Sequence, residues 1–234
     1  TAVYWLEKAA EQGVAAAQFN LGRIYVIGKM VPKDSAKALY WISKSAEQSL
    51  AAAQYTLAAM YAKGDGVPND MAKALYWVNN SAEQGFPEAQ FQLGQMYIAG
   101  QYMAKDSTKA VHWLVKAGEQ EFVDAQFALG SLYLEGKELP KDLSKAAYWL
   151  GKAAEQGLAY AQNNLAMMYA AGNGIPKDSV LAYAWFTIAM EADDMHAKQG
   201  REKIEKEMTQ AQIAEAQQIA AAWGHGQKLT RSNM

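Results

Sequence analysis

Apolar and polar positions along this chain follow one pattern that returns every 36 residues. In the stretch 14–49, Ala17, Leu21, Ile24, Tyr25 and Gly28 step by three and four, the spacing of one face of a helix, here termed helix A. The glycine fits the left-handed residue just past a helix C-terminus, where a Cβ would be penalised. Val31-Pro32 follows, and proline neither continues the helix nor lets its predecessor stay helical. Helix B then begins after Asp34, which is placed to accept first-turn N–H groups and to oppose the helix dipole. Ala38, Trp41, Ile42 and Ser45 form its inner face, while Lys37, Lys44, Glu47 and Gln48 point outward.

The same columns recur down the chain. Trp5, Trp41, Trp77, Trp113, Trp149 and Trp185 keep an unbroken spacing of 36, and all six are expected to be structural. Tyr25, Gly28, Asp34, Ala38 and the Ala17-Gln18 pair head further columns at the same step. A constant period of this length marks stacked units, each burying its apolar face on the next. The expected architecture is an all-α solenoid of antiparallel helix pairs. Its units are 1–13 (helix B alone), 14–49, 50–85, 86–121, 122–157 and 158–193, followed by divergent capping helices over 194–223 and a flexible tail over 224–234. A further column is always small: Gly22, Ala58, Gly94, Gly130 and Ala166. Glycine inside a helix costs about 1 kcal/mol against alanine, so a large side chain must approach there, and the repeated Trp or Tyr is the expected partner.

The third unit departs from the pattern. Gly100-Gln-Tyr-Met-Ala104 lacks the second turn glycine and the proline, which predicts a less rigid turn. Gly118 takes an alanine column, and Glu121 replaces the glycine that closes helix B, which puts the standard left-handed cap of that corner in doubt. Thr1 aligns with Lys37 inside helix B. The chain therefore reads as a fragment or a trimmed protein, and an apolar face opened at that end would favour self-association. Toward the other end, Arg201 and Glu205 fall in the Leu and Tyr columns. Thr209 to Gln212 has the form of a capping box, opening a helix with Ile213, Ala216, Ile219 or Ala220, and Trp223 as its inward stripe.

Composition narrows the function. The chain has 234 residues, of which 51% are hydrophobic, so it can bury a large core. Its net charge of −2, with both signs interspersed, offers no basic field and argues against nucleic acid as a partner. No stretch approaches the roughly 18 apolar residues of a membrane span. With no cysteine there is neither a disulfide framework nor a thiolate metal site, and the compartment stays open between periplasmic or secreted and cytoplasmic. No basic and apolar leader follows Thr1.

The run from Ala53 to Gly85, AQYTLAAMYAKGDGVPNDMAKALYWVNNSAEQG, carries the skeleton AxxxLxxxYxxGxGVxxDxxxAxxW. It resembles the Sel1-like repeat family, relatives of the tetratricopeptide repeat, and the likeness extends over 1–192. The resemblance implies a right-handed α-superhelix whose A helices line a concave surface that holds a protein or peptide. One bacterial branch of the family has a disulfide in each repeat; this chain, without cysteine, belongs elsewhere.

Candidates for chemistry are few. His112, His196 and His225 are far apart, and His112 substitutes in a tyrosine column with Tyr40, Tyr76 and Tyr148. There is no HExxH or other zinc spacing, so neither metal nor cofactor is expected. Gly64-Asp-Gly66 and Gly172-Asn-Gly174 lack the lysine-serine ending of a phosphate loop and read as turns. Some relatives have been linked to penicillin binding or hydrolysis, yet no serine here has a lysine three residues on. The acidic columns repeat with the fold, whereas a catalytic pair need occur once. The chain reads as no enzyme.

What varies is a stripe of helix A beside the core stripe, at positions 16, 20, 23 and 27 and their equivalents. Its candidates for partner binding are Asn20, Arg23, Ile27, Thr56, Lys63, Gln92, Gln95, Ser131, Glu135, Asn164 and Met167. Asn20, Gln92 and Asn164 carry amides able to grip a peptide backbone through both donor and acceptor. Phe19, Tyr55, Phe91 and Phe127 are expected to pack between units. The function this predicts is a protein interaction scaffold or adaptor using the concave helix-A face. The alternative is a bacterial envelope or host-interaction protein that binds cell-wall or glycan material.

Overall fold

The computed structural model describes residues 2–192, 195–224 and 226–230. They form helices and turns in two compact units, Thr1–Ala117 and Gly118–Met234. The chain starts with a B helix, α1 (Ala2–Glu11), and then alternates A and B: α2 (Ala15–Ile27), α3 (Ser35–Glu47), α4 (Ala51–Lys63), α5 (Met71–Glu83), α6 (Pro87–Ala99), α7 (Ser107–Glu119), α8 (Val123–Glu135), α9 (Leu143–Glu155), α10 (Ala159–Ala171) and α11 (Ser179–Ala189). A short 3-10 turn, α12 (Met195–Glu205) and α13 (Gln210–Ala222) follow. In the first unit α1 to α6 pack consecutively, and in the second α8 to α11 do so with α12 and α13 both packed on α11, which makes the protein an all-α solenoid of helix pairs.

Local chemistry sets the helix ends. Gly28, Gly64, Gly100, Gly136 and Gly172 close the A helices in the left-handed conformation. Asp34, Asp70, Asp106, Asp142 and Asp178 each accept a first-turn N–H of the next helix through the side chain. Two corners differ from expectation. Glu121 holds the left-handed backbone at φ 64, as Ser49 does at φ 63, so the cap survives without glycine. Tyr102 takes the same conformation at φ 66, where Gly66 and Gly174 stand in other turns. In both places a residue with a Cβ holds a conformation that local preference reserves for glycine.

The small column admits a different partner from the one expected. A Cβ on Gly22, Gly94 or Gly130 would come within 2.5–2.7 Å of Ile42, Leu114 or Leu150, the aliphatic residue next to each tryptophan. The aromatic ring has a different small neighbour: a Cβ on Gly118 would lie 2.9 Å from Trp149. The tryptophans therefore differ in burial. Trp149 and Trp185 are buried, Trp41, Trp77 and Trp113 are half-buried, and Trp5 is 71% exposed, with no preceding B helix beside it among the described residues. Trp185 instead meets Trp223 edge to face at 5.7 Å.

A buried amide ladder ties the helices together. Gln18, Gln54, Gln90, Gln126 and Gln162 each donate from Nε2 to the carbonyl eight residues back, near the end of the preceding B helix, at 2.9–3.2 Å. Gln18, Gln54 and Gln126 also accept from a second glutamine 30 residues on, Gln48, Gln84 and Gln156 respectively, at 2.6–2.8 Å. Paired amides of this kind fix the register of helix against helix, because a shift of a residue or two leaves buried donors and acceptors unmet.

In the second unit, the capping box at Thr209 and Gln212 is formed. Ile213, Ala216 and Ile219 are buried, and Arg201 lies 5.5 Å over the Tyr183 ring. The segment after Trp223, expected to fray, is held as far as it is described. Gly226 N–H donates to Glu155 O at 2.6 Å, Trp223 Nε1 donates to Gln227 O, and Leu229 is 5% exposed. Leu181, standing in the column of Lys145, shares its apolar cluster with Leu229.

Candidate interaction surface

The A helices present the variable stripe to solvent. Asn20, Arg23 and Ile27 are exposed on α2, Lys63 on α4, Gln92 and Gln95 on α6, Glu135 on α8 and Met167 on α10; Thr56, Ser131 and Asn164 are half-buried. Several of these groups already have partners. Thr56 Oγ1 donates to Ala52 O within its own helix at 2.8 Å, Glu135 pairs with Lys137 at 3.2 Å, and Arg23 lies 5.7 Å over the Phe19 ring.

Two of the candidates meet in one groove. Lys63 and Gln92 line a cavity of about 460 Å³ in the first unit, together with Tyr55, Ala58, Ala59 and Ala62 of α4, Met71, Ala74 and Val78 of α5, Met96 of α6, and Gln101 and Tyr102 of the turn that follows. Its cause is visible in the sequence columns. Where α2 has Arg23 and Val26, and α6 has Gln95 and Ile98, α4 has the smaller Ala59 and Ala62. The floor pair is Ala58 and Val78, smaller on the α5 side than Ile42 or Leu114. Burial, and then the charge of Glu88, raises the Tyr55 phenol above its ordinary value. Glu88 Oε2 is itself buried without a hydrogen-bond partner. The remaining candidates, Asn20, Arg23, Ile27, Thr56, Gln95, Ser131, Glu135, Asn164 and Met167, lie outside this groove.

The groove's rim includes residues that the sequence pattern did not single out. Tyr102, in the turn taken to be merely less rigid, is 56% exposed on the groove. The signal for the groove was present as Ala59 and Ala62, small where the same columns of α2 and α6 hold Arg23, Val26, Gln95 and Ile98. Of the histidines, His112 stacks edge-on to Trp113 at 5.2 Å, His196 is exposed, and His225 lies outside the described residues. Among the described residues no three His, Asp or Glu side chains gather as a metal site. No described helix is long and apolar enough to cross a membrane.

Helix pairs capped by glycine and aspartate at a fixed period define the class as a tetratricopeptide-like repeat solenoid. The Sel1 repeat model matches residues 1–14, 15–50, 51–86, 87–122, 123–158 and 159–194, and the chain belongs to the Sel1 repeat family. Among solved structures it is similar to a Sel1 repeat protein from Oxalobacter formigenes, with 38% identity and a TM-score of 0.78 over 86% of this chain and 58% of that one. A protective antigen of uropathogenic Escherichia coli, described as displaying an SLR fold, matches with 31% identity and a TM-score of 0.55, over 94% of this chain and 55% of that one. An immunity protein from Pseudomonas aeruginosa matches with 25% identity and a TM-score of 0.52, over 83% and 75%. The chain thus spans a little over half the length of the first two proteins. Comparison with the curated proteins finds no match. The fold is that of a Sel1 repeat scaffold, consistent with protein–protein interaction.

Proposed function

We propose that the chain is a scaffold or adaptor that binds a protein or peptide on its helix-A face. The observation that carries this reading is the contrast between neighbouring columns. Leu21, Leu57, Leu93, Leu129 and Leu165 keep one buried column constant, while the column beside it, exposed at Arg23, Gln95 and Met167 and half-buried at Ala59 and Ser131, changes from unit to unit. A constant frame supplies shape, and the variable side chains on it supply specificity. The paired amides and filled core make that frame rigid, which lowers the ordering cost of binding. The glycan reading gains no observation of its own.

Charge reversal on the stripe tests the proposal. Arg23→Glu and Lys63→Glu should weaken capture of the native protein partner about tenfold each, with melting temperatures unchanged because both side chains are exposed. Capture that is unaffected by either change would move the site off the helix-A face.

A further inference from the structure

We infer that the groove between α4 and α6 docks an extended acidic segment of a partner protein, which inserts one large apolar side chain between the two helices. This rests on the helix-A face being the interaction surface, and it names the occupant. Ala58, Ala59, Val78, Met71 and Met96 make the floor and walls mostly apolar, with Tyr55 beside them. The volume of about 460 Å³ falls within the ~300–1,000 Å³ typical of ligand pockets. Methionine walls adjust to the shape of whichever side chain enters.

The rim favours an extended backbone. Gln92 and Gln101 bring amides that can each donate and accept. A helix arriving here would already have spent its own N–H and C=O groups internally, whereas an extended segment has both free. The sign of the partner follows from charge. Lys63 is the one charged residue lining the groove, and among the described residues it has no carboxylate partner. Of the nearby acids, Asp65 accepts from Ser35 and faces Lys33, and Glu88, whose Oε2 has no hydrogen-bond partner, does not line the groove. Covering Lys63 with a neutral or basic segment would desolvate an ammonium without compensation, and an acidic residue flanking the apolar anchor removes that penalty.

The test pans a library of random displayed decapeptides against the native protein, Ala59→Trp and Lys63→Glu. The native protein should enrich sequences in which Leu, Met or Phe is flanked by Asp or Glu. Ala59→Trp fills the groove and should cut the affinity of those peptides about tenfold or more. Lys63→Glu should turn the preference toward flanking Lys or Arg while the apolar anchor stays. Circular dichroism melts that match the native protein show that both variants fold. Enriched sequences that are basic, peptides whose binding survives Ala59→Trp, or a native protein that enriches nothing would each overturn the proposal. Sedimentation covers a second copy as occupant: a native dimer that Ala59→Trp dissolves would also overturn it. If the peptides fail while Arg23→Glu, outside the groove, still weakens partner capture, the groove assignment falls and the helix-A reading stands.

Discussion

Trp5 and Trp149 occupy one sequence column but are 71% and 7% exposed. A column records what the repeat asks of a position; burial depends on whether the neighbouring helix is there to meet it. Trp149 lies on the Gly118 column of the preceding B helix, and removing the ring leaves a cavity. Trp149→Ala should therefore cost about 3–5 kcal/mol, and Trp5→Ala less than about 0.5 kcal/mol, measured by urea denaturation. Equal losses would contradict the packing described. The glutamine ladder makes the same point about polar residues. Its column was plain in the sequence, but its role emerged only when the second glutamine, 30 residues on, was placed beside it.

Helix ends were the most legible part of the fold, because capping is settled within a few residues. Glycine after helix A and aspartate before helix B stand where the local rules put them. Glu121 and Tyr102 were not legible, since local preference reserves a left-handed backbone for glycine and both hold it with a Cβ. Nor was the partner of the small column: spacing shows that something comes close to Gly94, and only three dimensions choose Leu114 over a tryptophan. The caps carry a pH signature. The backbone N–H of Lys73 holds the Asp70 carboxyl below its ordinary value of 3.8, and Lys145 does the same for Asp142. The unfolded chain takes up these protons first as pH falls. The stabilisation is thus complete above the ordinary carboxylate value and is lost as pH drops through the lowered native one. Asp142→Asn keeps a capping oxygen without the titration, so the urea midpoint should fall less steeply below about pH 4. A slope identical to that of the native protein would contradict the assignment.

At the scale of the whole molecule, each unit has its own core, and the second is completed by the segment that follows α13. That segment is the feature most at odds with its polar sequence: Leu229 is buried in the apolar cluster, among neighbours that read as a tail. Leu229→Asp should destabilise the second unit by at least about 1.5–3 kcal/mol. In a solenoid, where each repeat leans on its neighbours, hydrogen exchange should quicken in α9, α11 and α13 and stay unchanged in α1 to α6. Uniform loss of protection across all helices would contradict that partition.

The central claim, that the helix-A face holds a polypeptide, is tested most directly by a photo-crosslinking residue placed at one position at a time in the full-length protein in its native cells. Gln95 stands exposed on an A helix, and Tyr148 is 56% exposed on a B helix. The account predicts a discrete protein adduct from position 95 and none from position 148; an adduct from 148 with none from 95 would contradict it.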